Sequence, residues 1–425
     1  MFDPWTLSLA SLVLYNLFDA YLNHRQATKL KDMTIPAAAK NFEHLWKIDI
    51  EEYRNNKKYS SEKMALNSMK SLVTLSVEVI FYYFGPFRFL DALSRSVTDY
   101  LIVRILVFLS IKQLLDLIFS MPFSYRAQFD IEQRYGFNKM TVALFIKDAI
   151  ISFALELIIS AAILTGVVKI IELTGPMMPM YMSCFLTFCI LALMLIWPNY
   201  IAPLFNKFES LGSQGDEKEV DLRKRVEDIS GRAKFPIAEI YKMDGSKRSA
   251  HSQAYFFGIF KKKRIVIYDT LINDLENRQT EAVLCHEIGH WFHSHNVQML
   301  GASLLSLQLM VFVISSFVFD KSFYASFGFD QIDYFVGVSL SLLMFSMVSG
   351  VIGFLMVKLS RRNEFQADEF ALKYEHGDNL VEALVLIYKK NKADVDPDWL
   401  YSSLKHTHPT LIQRIDNISA HMKRK

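Results

Sequence analysis

Residues 284–295, LCHEIGHWFHSH, place four histidines and one glutamate in twelve positions. His286, Glu287 and His290 form the pattern H-E-x-x-H. On an α-helix, residues four apart lie about 40° apart around the axis and one turn along it, so both imidazoles point to one side. The spacing predicts two ligands of a zinc site, with the Glu287 carboxylate placed to reach a metal-bound water. The alternative is a polar helix beside a membrane that binds no metal.

A third ligand decides between these interpretations, and two residues compete for the position. His293 returns to the face of His286, but three ligands on one straight helix cannot easily surround a tetrahedral ion. Glu364, in RRNEFQADEF, follows the last apolar run. Two histidines and one glutamate with an open fourth position are a common catalytic zinc arrangement. Asn296 stands where a metzincin would have its third histidine, which excludes that class.

Other polar residues lie near these motifs. Asp368 lies one turn beyond Glu364 and could accept an N–H from a ligand imidazole. The alternative is an ordinary exposed carboxylate on a helix. His295 faces away from His286 if the helix is straight. No role is assigned to His251, His293 and His406.

The composition indicates a membrane protein. Hydrophobic residues make up 52% of the 425 residues and charged residues only 21%, a balance that a water-exposed surface could hardly accommodate. The net charge of +3 gives no basic excess that would indicate a nucleic-acid partner. Three cysteines are too few for a disulfide framework.

Seven runs have the length of a membrane-spanning helix. Three are uncharged: 177–205, 296–319 and 334–357. Four carry charges and could instead be buried helices of a soluble protein: 5–22, 65–84, 100–119 and 142–171. Basic residues favour the cytoplasmic ends of spans, and segment 23–64 alone holds nine. This bias favours seven spans with the N-terminus outside and the C-terminus in the cytosol.

The four charged spans carry ten ionisable residues between them. Charged groups inside a membrane are costly and usually face a polar cavity or pair with one another. Their number favours a water-accessible interior. The alternative is local pairing, such as Lys112 with Asp116 one helical turn later.

Six segments, taken in order, carry a resemblance to a known family. Besides HEIGH and RRNEFQAD, they are FDIEQRYGFNKMT (129–141), WPNYIAPLFNKF (197–208), MDGSKRSAHSQAYFFGIFKKKRIVIYDTL (243–271) and HTHPTLIQR (406–414). Together they resemble the type I CAAX prenyl proteases, integral-membrane zinc metalloproteases, over nearly the whole chain. Shorter bacterial quality-control relatives share the zinc motifs but would leave the first spans unexplained.

The resemblance implies an α-helical polytopic membrane protein. Seven transmembrane helices would enclose an intramembrane chamber, with a cytosolic-side zinc metalloprotease domain that contains a small β-hairpin or sheet. We expect spans 1–5 in 1–205, a catalytic segment with an edge strand and the HExxH helix in 206–297, spans 6 and 7 in 298–359, and a C-terminal segment with the third ligand in 360–425.

The resemblance also assigns roles within the site. It makes His286, His290 and Glu364 the ligands of one Zn²⁺ per chain and Glu287 the catalytic base. It places His408 to hydrogen-bond the scissile carbonyl, where a donor would stabilise the developing oxyanion. The alternative for His408 is a surface histidine before a helix. A structural or ion-pairing role is expected for the nearby Arg414.

Residues 250–258, AHSQAYFFG, are typical of a β-strand, and KKKRIVIYD (261–269) is typical of the strand returning from its turn. In the family the first strand is an edge on which the substrate peptide lies, by strand addition. This implies contacts at Gln253, Ala254, Tyr255 and Phe256. Gln253 stands where the family usually has an asparagine, and its side chain is one methylene longer. The alternative is a hairpin packed over the zinc helix.

The expected activity is removal of the last three residues from isoprenylated CAAX peptides and proteins, with Glu287 assisting attack by a zinc-bound water. We expect a monomer that binds no nucleic acid. The family implies a location in the bilayer of the endoplasmic reticulum or the continuous nuclear envelope. One alternative is a quality-control protease that acts on unprenylated membrane or translocon-trapped chains. A non-enzymatic alternative is a seven-span transporter or receptor.

Overall fold

The structure is a computed structural model that describes residues 3–37, 49–83, 85–257 and 263–424. Most of this part of the chain is helical. The helices of the first half are α1 (Pro4–Leu30), α2 (Ile50–Tyr83), α3 (Pro86–Val97), α4 (Leu101–Arg126), α5 (Val142–Thr174), α6 (Met178–Ile196) and α7 (Ala202–Phe205). Those of the second half are α8 (Glu217–Arg232), α9 (Asp269–Asp274), α10 (Asn277–Phe292), α11 (His295–Phe317), α12 (Lys321–Ser326), α13 (Tyr334–Lys373), α14 (Gly377–Lys390), α15 (Trp399–Lys405) and α16 (Leu411–Met422).

Two helical runs in the described chain are long and apolar enough to cross a membrane. They are Val142–Phe205, which contains α5 to α7, and His295–Phe317. A third is Tyr334–Lys373, if its two halves, bent by 51°, count as one span. These runs cover the three uncharged predicted spans and the charged run 142–171. The other charged runs lie on α1, α2 and α4.

A four-stranded sheet accompanies the helices. Its strands are β1 (Phe208–Ser210), β2 (Ile237–Met243), β3 (Ala254–Phe257) and β4 (Lys263–Tyr268), in the order β1-β2-β4-β3. β2 and β4 are parallel, and the outer pairs are antiparallel. The predicted hairpin is therefore present as the β3–β4 pair, although its turn, residues 258–262, lies outside the described residues. β3 is an edge strand of the sheet formed by the described residues.

The largest core lies between this sheet and the helices that surround it. Ile240, Ile265 and Ile267 of the sheet have at most 1% of their surface exposed, as do Leu284 and Ile288 of α10. Side chains of α8, α13, α14 and α16 complete the same cluster. One face of α10 is therefore fixed in the core. The histidines lie on a different face of the same helix.

Arg104 and Asp148, both from the charged runs, make partly or fully buried ion pairs with distant residues. Arg104, on α4, contacts Asp91 at 2.5 Å and Asp333 at 2.7 Å. Asp148, near the start of α5, accepts two hydrogen bonds from Arg248, at 2.8 and 3.0 Å. Buried charges are stable only when paired in this way. The second pair joins a spanning helix to the loop that precedes β3.

Four more charges of these runs are paired locally or line a cavity. Lys112 and Asp116 form the local pair that their spacing allows, with Nζ and Oδ2 2.8 Å apart. Lys70 and Glu78, two turns apart on α2, line a cavity of about 590 Å³ together with Lys405 and polar residues of α1 and α13. Local pairing therefore accounts for Lys112 and Asp116, whereas Lys70 and Glu78 face a cavity.

The N-terminal helix is attached to the C-terminal segment by charged side chains. Three pairs join them: Arg25 with Asp398 at 2.9 Å, Lys29 with Asp396 at 2.6 Å, and Asp19 with Lys405. These contacts fix α15, which leads into the loop that carries His408.

Candidate metal centre

The helix α10 presents the H-E-x-x-H residues towards α13. A capping box between Glu276 and Gln279 begins the helix. Gly289 allows the close approach of α13, because a Cβ atom at this position would lie 2.9 Å from Cβ of Phe370 and 3.0 Å from Cα of Ala367. The glycine is therefore needed for packing, at a cost in helix propensity of about 1 kcal/mol relative to alanine.

The structure brings the three predicted ligands together. The Nε2 atoms of His286 and His290 lie 3.1 Å apart. Glu364 directs Oε2 to within 3.6 Å of His286 Nε2 and Oε1 to within 3.3 Å of His290 Nε2. Ligand atoms of all three residues lie within 4.8 Å of one another. This convergence favours Glu364 over His293 as the candidate third ligand, since His293 does not belong to the group.

The donor set fits a zinc ion. Two imidazole nitrogens and one carboxylate oxygen leave a tetrahedral ion one open position, as catalytic zinc sites require. Glu364 is 3% exposed, and its Oε2 receives no well-aligned hydrogen bond although His408 Nδ1 lies 2.8 Å away. Burial raises the pKa of Glu364, but the contacts with His286 and His290 outweigh it and hold that pKa well below the usual value. A buried, ionised carboxylate facing two imidazoles is suited to a cation.

Asp368 and Arg414 orient His286, the first candidate ligand. Asp368 Oδ1 lies 2.9 Å from His286 Nδ1, and Asp368 is fully buried. Arg414 donates to both carboxylate oxygens, at 2.9 and 2.5 Å. Burial raises the pKa of Asp368, but the charge of Arg414 and the bond from His286 lower it below the usual value. With its Nδ1–H donated to Asp368, His286 keeps Nε2 free for a metal. The ion pair of Arg414 is therefore part of the ligand's support.

A second chain of contacts orients His290, and the spacing of the histidines did not indicate it. His290 Nδ1 lies 2.9 Å from His295 Nδ1, and His295 Nε2 lies 3.0 Å from Gln366 Oε1. The Gln366 oxygen can only accept, so His295 Nε2 carries the proton of a neutral ring and its Nδ1 accepts from His290. His290 Nε2 is then free for a metal.

The backbone at Ser294 explains why His295 does not face away. Ser294 has φ 56° and ψ 33°, in the left-handed region, and separates α10 from α11. The prediction for His295 assumed one straight helix and is wrong for this reason. A serine is not a typical residue for this conformation, so the sequence carries no clear signal for the break.

Glu287 lies between the two histidine ligands in sequence and is half-buried. Burial raises its pKa above the usual value, although the neighbouring His286 and His290 partly oppose that rise. A glutamate with a raised pKa holds a proton more readily near neutral pH, which suits a group that takes up and releases protons.

His408 lies beside the ligand group on an exposed loop. Its side chain is 62% exposed, with Nδ1 2.8 Å from Glu364 Oε2. Arg361, on α13, donates to the His408 carbonyl at 2.9 Å and to Gln413 Oε1 at 2.8 Å. The loop is therefore attached to the helix that carries Glu364.

The edge strand β3 presents its residues in different directions. Gln253 is exposed, and its carbonyl accepts a hydrogen bond from Tyr268 N at 3.1 Å. The side chains of Ala254 and Phe256 pack against the core, so only their backbone faces the open edge. Tyr255 lines a cavity between the sheet and the apolar helices.

His251 and Glu132 attach the start of this region to the rest of the chain. The His251 ring stacks on Phe137 with centroids 4.1 Å apart, and its Nδ1 lies 3.1 Å from Asn391 Oδ1. Its Nε2 lies 3.4 Å from Glu132. His251 therefore has a structural position before β3 and does not belong to the ligand group.

Comparison with known proteins agrees with this arrangement. Residues 25–207 match the family model "CAAX prenyl protease N-terminal, five membrane helices", and residues 216–422 match "Peptidase family M48". The chain is similar to CAAX prenyl protease 1 homolog of Arabidopsis thaliana, 32% identical over 97% of this chain and 96% of that protein. It is also similar to CAAX prenyl protease 1 of Saccharomyces cerevisiae, 31% identical over 97% and 94% of the two chains.

The crystal structure of Ste24p from S. mikatae has the same fold, with a TM-score of 0.89, 31% identity and coverage of 98% of this chain and 99% of that chain. The relatives are matched over nearly their whole length, so the membrane helices and the metal centre belong to one architecture. The chain therefore belongs to peptidase family M48, within its CAAX prenyl protease 1 group, and is a membrane metallopeptidase.

Proposed function

We propose that this chain is a zinc-dependent endopeptidase that removes the C-terminal tripeptide from isoprenylated CAAX proteins. The observation that carries the proposal is the convergence of His286, His290 and Glu364, with Glu287 on the same helix as the two histidines. The printed names of the relatives, CAAX prenyl protease 1, support the substrate class.

The residues of the site would divide the chemistry among them. A bound zinc ion would polarise the scissile carbonyl and make a water molecule more acidic. Glu287 would take a proton from the attacking water and deliver it to the leaving amine nitrogen. His408 would donate a ring N–H to the developing oxyanion. Asp368 and His295 would hold the two imidazole ligands in the required tautomers.

The substrate peptide would lie along β3. An edge strand offers unpaired backbone groups on one side, and an extended peptide can pair with them by strand addition. Ala254 and Phe256 would contribute only their backbone, because their side chains pack against the core. The exposed Gln253 amide would be free to meet the peptide. This arrangement would set the peptide next to the metal centre without depending on its sequence.

We propose seven spans around an intramembrane chamber, with α1, α2 and α4 joining the helices that are apolar enough to span by composition. The cavity lined by Lys70 and Glu78 would be a polar part of that chamber. The N-terminus would be luminal and the C-terminus cytosolic, in the endoplasmic reticulum membrane. The chain would act as a monomer. Boundaries after residues 205, 297 and 359 would divide it into the four segments expected from the sequence.

A pair of variants tests the enzymatic assignment. Glu287→Gln keeps the size of the side chain but removes the base, so zinc content should remain at one per chain while peptide cleavage collapses. Glu364→Ala removes a ligand, so zinc content should fall. Metal analysis of the purified proteins separates the two effects. Normal cleavage by Glu287→Gln would exclude the proposed base, and normal zinc content in Glu364→Ala would exclude the ligand.

The same assay distinguishes the alternative substrate. A quality-control protease would cleave prenylated and unprenylated peptides equally well, whereas a CAAX protease should cleave the prenylated peptide with a higher kcat/KM. A transporter or receptor would retain its activity in Glu287→Gln.

A further inference from the structure

A polar cavity lies between α1, α2, α13 and α15. Its volume is about 590 Å³, within the range of roughly 300–1,000 Å³ typical of small-molecule sites. Its charged lining residues are Lys70, Glu78 and Lys405, and hydroxyl groups such as those of Ser71 and Thr74 accompany them. We propose that Lys70 binds the free C-terminal carboxylate of the substrate peptide, an inference that rests on the proposed function.

One end of this polar cavity lies two helical turns from a candidate metal ligand. Val357 of α13 lines the cavity, and Glu364 follows seven residues later on the same helix, about 10 Å along its axis. Lys405 of α15 also lines it, three residues before His408. The Nδ1 atom of His408 lies 2.8 Å from Glu364 Oε2. Both α13 and α15 therefore lead from this end of the cavity to the metal centre.

The direction of α2 places Lys70 on the side of the edge strand. Lys63, earlier on α2, pairs with Glu132 at 2.9 Å, and Glu132 lies 3.4 Å from His251, just before β3. Lys70 is the first residue of α2 that lines the polar cavity. Glu78 follows two turns later, about 12 Å further along the helix. The lysine therefore lies nearer the peptide-binding edge, and the glutamate lies deeper among the helices.

The charge of Lys70 is available for a ligand. Within the described chain, its ammonium group makes no hydrogen bond or ion pair, whereas Lys405 is paired with Asp19. A charged group in an apolar helical run is costly, and such groups often mark the path of a substrate or an ion. Thr74, one turn after Lys70 on the same face of α2, offers a hydroxyl donor to the same ligand. A carboxylate would supply the counter-charge that Lys70 lacks.

The length of the leaving fragment matches the separation between the polar cavity and the metal centre. Three residues in an extended conformation cover about 10 Å, at about 3.3 Å each. Val357, at the near end of the cavity, lies about 10 Å from Glu364 along α13. With the scissile carbonyl at the metal centre, the C-terminal carboxylate would reach this end of the cavity. A carboxylate held by Lys70 would then set the number of residues removed.

A farnesylated CAAX peptide with a free C-terminal carboxylate and its C-terminal amide form the matched substrate pair. The KM of the wild type should be about 10- to 100-fold lower for the acid, the range expected for a hydrogen bond between charged groups. Lys70→Met removes the charge and keeps the length of the side chain. It should raise the KM for the acid to that for the amide and leave the KM for the amide unchanged. Lys70→Arg keeps the charge and should retain most of the preference.

Lys112→Met controls for the loss of a lysine from a helix of the charged runs. Lys112 pairs with Asp116 on α4 and does not line the polar cavity. This variant should prefer the acid as strongly as the wild type does. Equal KM values of the wild type for acid and amide would overturn the inference, and so would an undiminished preference in Lys70→Met. An equal loss of preference in Lys112→Met would also overturn it.

Inhibition by the product tests the carboxylate site without relying on a variant. The tripeptide with a free carboxylate should inhibit cleavage by the wild type at least about tenfold more strongly than its C-terminal amide, because only the acid can pair with Lys70. Equal inhibition by the two tripeptides would overturn the inference. Failure of the wild type to cleave any prenylated peptide, acid or amide, would instead overturn the proposed function, so the two failures are distinguishable.

Discussion

Replacing His295 by alanine should weaken zinc binding although His295 is not a ligand. The ring accepts the Nδ1–H of His290 at 2.9 Å and donates to Gln366 at 3.0 Å. Loss of an outer partner of a ligand histidine typically lowers metal affinity by about 10- to 100-fold. This corresponds to about 1.4–2.7 kcal/mol, at about 1.36 kcal/mol for each tenfold change. We expect His295→Ala to fall within this range.

Three variants separate orientation of His290 from simple packing. His293→Ala is the matched control, since its ring stacks on His295 with centroids 5.5 Å apart but makes no contact with the ligands among the described residues. His295→Asn puts a carbonyl oxygen at the position of Nδ1 and should restore most of the affinity. Gln366→Ala should have a smaller effect than His295→Ala and should add little to it, because both act through one chain of hydrogen bonds.

The assay is competition for zinc between the purified protein in detergent and a chromophoric chelator, at constant pH. Thermal unfolding of each metal-free variant shows whether the fold is retained. Affinity of His295→Ala within twofold of the wild type would refute the orienting role. An equal loss in His293→Ala would show that the effect comes from packing.

Three further predictions concern the surroundings of the site. Burial raises the pKa of Glu132, but hydrogen bonds from neighbouring side chains outweigh it and hold this pKa at about 2. Above its unfolded pKa, the ionised carboxylate therefore stabilises the fold by up to about 3 kcal/mol. This stabilisation is lost as the pH falls from about 4.5 to 2. Thermal unfolding of Glu132→Gln should lack this pH dependence, while the exposed Asp130→Asn should keep it. Gly289→Ala should lower both zinc affinity and melting temperature, because overpacking of about 1–3 kcal/mol exceeds the gain in helix propensity of about 1 kcal/mol. Arg414→Met leaves Asp368 buried without its counter-charge, so it should lower the free energy of unfolding by about 3–5 kcal/mol. Adding Asp368→Asn to the same chain should recover part of this stability in thermal unfolding.

If Glu132→Gln loses stability in acid as the wild type does, the acid-dependent stabilisation does not come from Glu132. Wild-type zinc affinity in Gly289→Ala would show that α10 and α13 can separate without disturbing the ligands. A fully stable Arg414→Met would mean that Asp368 is neutral in the folded protein.

The local part of the site could be predicted from sequence, because its geometry follows from helix periodicity. His286 and His290 share one helical face, and the spacing alone indicated it. Glu364 could be assigned because the predicted topology returns the chain to the same side of the membrane. The pairing of Arg414 with Asp368 could not be predicted, because it joins two helices 46 positions apart in the sequence.

The parts that escaped prediction depend on tertiary structure. The reversal of His295 follows from a left-handed serine that has no characteristic sequence signal. The pairs Arg104 with Asp333, and Asp148 with Arg248, connect residues 229 and 100 positions apart, so no local rule could find them. The local alternative, Lys112 with Asp116, was within reach of helix periodicity.

Mass spectrometry of a farnesylated CAAX peptide after incubation with the purified protein tests the central claim most directly. We predict that the wild type releases the last three residues as one tripeptide, that a zinc chelator stops the release and added zinc restores it, and that Glu287→Gln releases none. Release by Glu287→Gln at the wild-type rate, or cleavage at any other bond as the main product, would contradict the claim.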